Sequence, residues 1–170
     1  MAEEAGSSGS IKGQKTKKIM LKTSDQVTFE VEPSIAKQME TVQTFIDADG
    51  DNNDCSIVVP LPNVTSRDLG RIIEYSRQHN HGRTSNLKEF DERFLARLTH
   101  EELKELLLVA NYLNMKNLLD FLARSIADLI KNKSVAFVRN FFGCVNDFTP
   151  EEESEIRHKH PWAFEDVDED

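Results

Sequence analysis

Alternation of apolar and polar side chains becomes regular at Lys18. Ile19 and Leu21 alternate with Met20 and Lys22, Ser24-Asp25-Gln26 supplies a turn, and Val27, Phe29 and Val31 alternate with Thr28 and Glu30. A period of two gathers apolar side chains on one face, so the pattern predicts a β-hairpin with one buried face. After Pro33-Ser34 the period changes, and Ile35, Met39, Val42, Phe45 and Ile46 recur at helical spacing as far as an Asp-rich segment at residues 47–54. Residues 55–59 read as a compact β-branched strand, closed by Pro60-Leu61-Pro62-Asn63. Thr65 or Ser66 can then cap a helix running to about residue 78, with Leu69, Ile72, Ile73 and Ser76 on one face. Residues 79–88 have no periodicity and are expected to form a loop.

The pattern is strongest from Thr99 onward. Thr99 and Glu102 have the spacing of a capping box, and Leu98 and Leu103 can staple across the same turn. Leu103, Leu106, Leu107, Ala110 and Leu113 make an apolar stripe, and a second helix after Asn114 repeats it with Met115, Leu118, Leu119, Leu122, Ile126, Leu129 and Ile130. Two shorter helices are predicted to finish the chain. One covers about residues 134–142, and the other begins at Thr149, with Pro150 at the first helical position and Glu152 at the third.

Composition narrows what these elements can do. The 170 residues suffice for one domain with a helical extension, and no run of about eighteen apolar residues is present to span a bilayer. Residues 1–17 are rich in Gly, Ser, Lys and Glu and are expected to be disordered, and residues 166–170 form an acidic tail. The opening residues lack a basic region followed by an apolar block, so export is not expected. A net charge of -9 opposes binding to a phosphate backbone, and the basic stretch from Lys12 to Lys22 reads as a solvated approach to the first strand. Neither nucleic acid nor membrane is expected as a partner.

No constellation for catalysis or metal binding is complete. Cys55 and Cys144 are far apart, form no CxxC and have no neighbouring base, so packing accounts for both. The pairs His79/His81 and His158/His160 lack further ligands nearby. Asp47, Asp49 and Asp51 alternate as in a calcium loop, but Gly50 precedes Asp51 and no Glu closes the loop. GxGxxG, P-loop, GxSxG and HExxH patterns are absent. The chain is therefore expected to be neither an enzyme nor a holder of a cofactor or metal. What the pattern leaves over is apolar surface near the end: Val135, Phe137, Val138, Phe141, Phe142, Phe148, Ile156, Trp162 and Phe164 exceed what one small core can bury. That surplus points to a protein partner.

Four segments carry a resemblance. Val59-Pro-Leu-Pro-Asn-Val-Thr-Ser66, Ala110-Asn-Tyr-Leu-Asn-Met-Lys-Asn-Leu-Leu-Asp120, Asn146-Asp-Phe-Thr-Pro-Glu-Glu-Glu153 and Trp162-Ala-Phe-Glu165 are similar, in that order, to segments of the Skp family, nearest its plant members. These are adaptors of ubiquitin ligases built from Skp, cullin and F-box proteins. The resemblance implies an α+β fold: a BTB/POZ core over residues 18–131 with a small sheet and helices, followed by a helical extension over residues 132–165. It implies a non-catalytic adaptor in a heteromeric complex, linking F-box proteins to a cullin in the nucleus and cytoplasm so that targets are ubiquitinated and degraded. A paralogue that binds F-box proteins without recruiting cullin is the alternative. The resemblance maps cullin binding onto Asn111 and Tyr112, and it makes Val138, Phe142, Phe148, Ile156 and Trp162 the F-box-binding candidates. Ser134-Val-Ala-Phe137 stands where the family usually has Thr-Pro-Glu-Glu, and Phe141 also replaces a polar residue. Phe137 and Phe141 share one stripe and are expected to be covered by a partner or by the final helix, biasing which F-box proteins bind.

Overall fold

The computed structural model of the protein describes residues 18–49, 56–80, 86–165 and 167. The hairpin forms as its alternation predicts: β1 (Lys18–Thr23) pairs antiparallel with β2 (Thr28–Val31), Ile19 opposite Val31 and Leu21 opposite Phe29. Ile19, Leu21 and Val31 are buried. In the turn, Gln26 takes a positive φ of 65°, and Asp25 accepts hydrogen bonds from the Thr23 hydroxyl at 2.6 Å and from Ser66 N at 3.0 Å. The bond from the Ser66 side chain, with that from Thr23, holds the Asp25 carboxyl below the usual carboxylate range.

The sheet is larger than the hairpin. β3 (Ser56–Leu61) lies parallel to β1 on the other side, giving the order β2-β1-β3, with Ile19 level with Ile57 and Leu21 level with Val59. The strand runs through Pro60 to Leu61, two residues past its predicted end. Pro60 is tolerated because β3 is an edge and its missing N–H removes no ladder bond to a further strand. Cys55 and residues 50–54, including Asp51 of the calcium-like pattern, lie outside the described residues.

The helical stretch predicted after Pro33 is two helices, α1 (Pro33–Ala36) and α2 (Glu40–Asp49). Between them Gln38 N and Met39 N donate to carbonyls three residues back, which tightens the chain and buries Met39 together with Ile35, Ala36 and Val42. α3 (Ser66–Asn80) starts after Thr65, whose hydroxyl accepts from Asp68 N at 3.2 Å. It runs on through His79 to Asn80, so the start of the loop expected at 79–88 is helical. A further helix, α4 (Leu87–Ala96), follows, and residues 81–85 between the two are outside those described. His79 binds the two helices: its ring stacks on Tyr75 at 4.0 Å, and its Nε2 lies 2.9 Å from Asp91 Oδ1 of α4. α4 buries one residue, Phe94, with Phe90 and Leu95 packed against the core beside it.

α5 (His100–Tyr112) and α6 (Lys116–Ile130) form the second half of the core, through Leu103, Leu106, Val109 and Ala110 on one, Leu113 just past its end, and Leu118, Leu122 and Ile126 on the other. The capping box is present, with Thr99 Oγ1 accepting from Glu102 N and Glu102 Oε2 accepting from Thr99 N at 3.0 Å. Arg71 of α3 donates to the same Glu102 at 2.7 Å, and Arg67 reaches Glu105 at 3.0 Å. These bonds tie the start of α5 to α3. The last elements are α7 (Val135–Phe142), α8 (Pro150–Lys159) and a 3₁₀ turn at Pro161–Phe164.

Candidate functional site

The chemistry of α7 follows from how its eight residues divide among three directions. Ser134 caps it by accepting from Phe137 N at 3.0 Å, and Gly143 ends it at φ 68°, where Cys144 N returns to Arg139 O at 2.8 Å. That left-handed stop closes the helix and turns the chain toward α8. On the inward side, Phe137 and Phe141 stack with ring centroids 6.4 Å apart. Phe141 is only 4% exposed. Its cover comes from the start of α5, where the His100 ring lies 5.5 Å away and Lys104 Nζ 5.1 Å away. The expectation that a partner or the final helix would cover this stripe is corrected here: its direction on α7 points it at α5.

A second direction faces α8. Val135, Ala136, Arg139 and Asn140 form one wall of a groove of about 760 Å³, and Phe148, Ile156 and Phe164 line the remainder together with Cys144, Asn146, Glu153 and Arg157. The walls are mostly apolar, with one polar cluster among them. Arg139 Nη1 donates to Glu153 Oε1 at 3.0 Å, and Asn146 Nδ2 donates to the same oxygen at 3.0 Å. The hydrogen bond from Arg139 holds the Glu153 carboxyl below its usual range, against a smaller opposing cost of desolvation. Both arginines also lie over phenylalanine rings, Arg139 at 5.6 Å from Phe148 and Arg157 at 4.7 Å from Phe164.

Val138 and Phe142 share a third direction and do not line the groove. Val138 is half-buried, Phe142 is 50% exposed, and Trp162 on the 3₁₀ turn is 73% exposed. Of the five F-box-binding candidates, the structure therefore brings Phe148 and Ile156 together in the groove and leaves Val138, Phe142 and Trp162 on surfaces beside it. Val135 and Phe164 also line the groove and were not among the five, although their apolar character at the chain's end had marked them. α8 opens with its own capping box between Thr149 and Glu152 and buries no residue.

At the other end of α5 stand Asn111, exposed, and Tyr112, half-buried. The helix stops in a Schellman motif: Asn114 takes φ 52°, its N–H reaches Asn111 O at 3.0 Å, and Met115 N reaches Ala110 O at 2.9 Å. Thr41 of α2 donates from its hydroxyl to Tyr112 O at 2.8 Å, so the turn carrying both residues is anchored to the body. Leu108, one turn earlier on the exposed side of α5, is 67% exposed, a residue that periodicity alone had passed over. Among the described residues there is no group of three His, Cys, Asp or Glu placed to hold a metal, and no helix is long and apolar enough to cross a membrane. His81 lies outside those residues.

Two family models match the chain: the Skp1 family tetramerisation domain over residues 17–81 and the Skp1 family dimerisation domain over residues 116–163. SKP1-like protein 1A of Arabidopsis thaliana is 42% identical over 162 residues, covering 88% of this chain and 98% of that protein. The chain belongs to the Skp1 family. SKP1-like protein 14 of Arabidopsis thaliana is 41% identical over 150 residues, covering 87% of this chain and 97% of that protein. SKP1-like protein 1 of Oryza sativa subsp. japonica is 38% identical, covering 88% of this chain and 96% of its own length. Skp1-family membership supports an adaptor role in an SCF-type ubiquitin ligase. Apart from Phe164, the groove between α7 and α8 lies within the region that the family's dimerisation domain matches, and the sheet lies within the region matched by its tetramerisation domain.

Proposed function

We propose that this Skp1-family chain joins F-box proteins to a cullin scaffold, acting without catalysis in the nucleus and cytoplasm to promote ubiquitination and degradation of proteins that the F-box partner selects. The observation that carries the reading is the terminal groove with its neighbouring exposed Phe142 and Trp162. Large apolar and aromatic side chains beside a concave slot are what an amphipathic helical partner needs for anchoring. Phe148 and Ile156 act as the groove's anchors, with Val138, Phe142 and Trp162 meeting the partner on its flanks. Asn111 and Tyr112 serve the cullin, at a site separated from the groove by the length of α5.

The test is a pair of titrations of the full chain, one with a recombinant F-box domain and one with a cullin N-terminal domain, followed by both partners together. Simultaneous binding is expected. Ending the chain after Lys131 is expected to abolish F-box binding and leave cullin binding, since it removes every groove residue and neither Asn111 nor Tyr112. A chain that bound the F-box domain but no cullin would replace the linking role with that of a binding-only paralogue.

A further inference from the structure

The groove stands on a helix that cannot hold itself in place. α7 has eight residues, and isolated helices shorter than roughly 12–15 residues are marginal in water. α8 and the 3₁₀ turn bury no residue that could hold α7 from the other side. Within α7 the buried residue is Phe141. Its ring is packed by Phe137 at 6.4 Å and by His100 at 5.5 Å. Lys104 Nζ donates a hydrogen bond to the Phe141 carbonyl while lying over its ring. That carbonyl is in the last turn of α7, where acceptors lack intrahelical donors and the helix dipole favours a cation. His100 and Lys104 are both in the first turns of α5, which the capping box and the Arg71–Glu102 bond hold to the body.

We propose that Phe141, with Phe137 and Lys104, is a positioning joint that keeps α7 seated on α5 in the absence of a partner, so that the groove is formed before anything binds to it. Arg139, on the groove side of the same helix, hands that position to α8 through Glu153 and Phe148. The seating itself is a property of the free chain. Its effect on affinity rests on the reading of the groove as the F-box site. When only a fraction of molecules hold the competent arrangement, apparent affinity falls by that fraction.

The experiment uses the full chain as wild type, Phe141→Thr, Phe141→Leu and Lys104→Met. Amide exchange is measured in α5, α6 and α7 without partner, and each form is then titrated with one recombinant F-box domain. Phe141→Thr is expected to speed exchange in α7 by roughly tenfold or more while α5 and α6 stay within about twofold, and to weaken F-box binding by a similar factor. Phe141→Leu restores most of both, and Lys104→Met gives a smaller acceleration confined to α7. The joint is overturned if wild-type α7 already exchanges at the unprotected rate, if Phe141→Thr leaves α7 unchanged, or if it speeds all three helices equally. It is also overturned if α7 loosens with no loss of affinity in a wild type that binds. Should Phe141→Thr not fold, Lys104→Met decides by the same criterion of acceleration selective for α7. A wild type that binds no F-box domain would overturn the reading of the groove, and the exchange data would still decide the seating.

Discussion

The body and the terminal unit use apolar side chains in opposite ways. In the body, Leu21, Leu61, Leu106, Leu113 and Leu122 are fully buried, drawn from both strands and helices into one continuous cluster. In the terminal unit Phe141 joins that cluster, while Phe142, Phe148 and Trp162 remain substantially exposed. The first arrangement produces stability that each residue shares with many neighbours. The second keeps apolar surface accessible, and its order depends on a few contacts. A substitution should therefore register as a melting change in one region and as a binding change in the other.

The largest expected effect tests the body. Leu106→Ala removes a fully buried side chain at the α5–α6 core and is expected to cost about 3 kcal/mol, lowering the melting temperature by roughly 6 to 12 °C. A loss confined to partner binding would break the contrast. In the terminal unit, Trp162→Ala is expected to leave stability within about 0.5 kcal/mol of wild type and to weaken F-box binding by about 2 kcal/mol, close to thirtyfold. Calorimetric titration alongside a melting curve separates the two effects. Asn111→Lys with Tyr112→Lys should weaken cullin binding roughly tenfold and leave F-box binding nearly intact; equal loss of both partners would mean that the end of α5 had misfolded.

The smallest effect is one of pH. Glu153 has a folded carboxyl pKa below its ordinary value of 4.5, chiefly through Arg139. A group shifted in this direction stabilises the folded arrangement above its unfolded pKa, and that contribution disappears as pH falls through the folded one. Amide protection in α8, taken relative to the intrinsic exchange rate at each pH, is expected to fall as pH drops below about 4.5. In Glu153→Gln this acid-dependent component should be absent. Glu102 is shifted in the same direction by Arg71 and the Thr99 backbone, so acid also weakens the tie between α3 and α5.

The sequence was most legible where local chemistry and tertiary packing agreed. Thr99 with Glu102 and Thr149 with Glu152 announced two helix starts because the capping groups are close in sequence, and both boxes are present. The stripes of α5 and α6 were equally readable, since one face of each had to be apolar. The parallel partner of β1 was not, because alternation reveals a strand's faces and says nothing of its neighbour across an intervening helix pair. α4 was missed because the aperiodic stretch read as a loop over residues 79–88 took in Leu87, the first of its apolar positions, and left Phe90, Phe94 and Leu95 spread among Glu89, Asp91, Glu92 and Arg93. In the candidate site, composition revealed the apolar surplus. Only the geometry could divide α7, turning Phe137 and Phe141 toward α5 and Val135 and Arg139 toward the groove.

Pairing β1 with β3 also fixes an order of events during synthesis. The hairpin of β1 and β2 joins near neighbours and can form soon after both have left the ribosome, whereas Lys18 must wait for Ser56 before the sheet is complete. Such non-local pairing incurs loop-closure entropy before it gains contacts, and it slows folding. Until β3 arrives, the far side of β1 is an open edge able to pair with another nascent chain. A pulse of synthesis arrested before residue 56 should therefore yield the more aggregation-prone nascent chain, and one arrested after the sheet can close should not. α7 emerges after α5, when His100 and Lys104 are already available to receive Phe141.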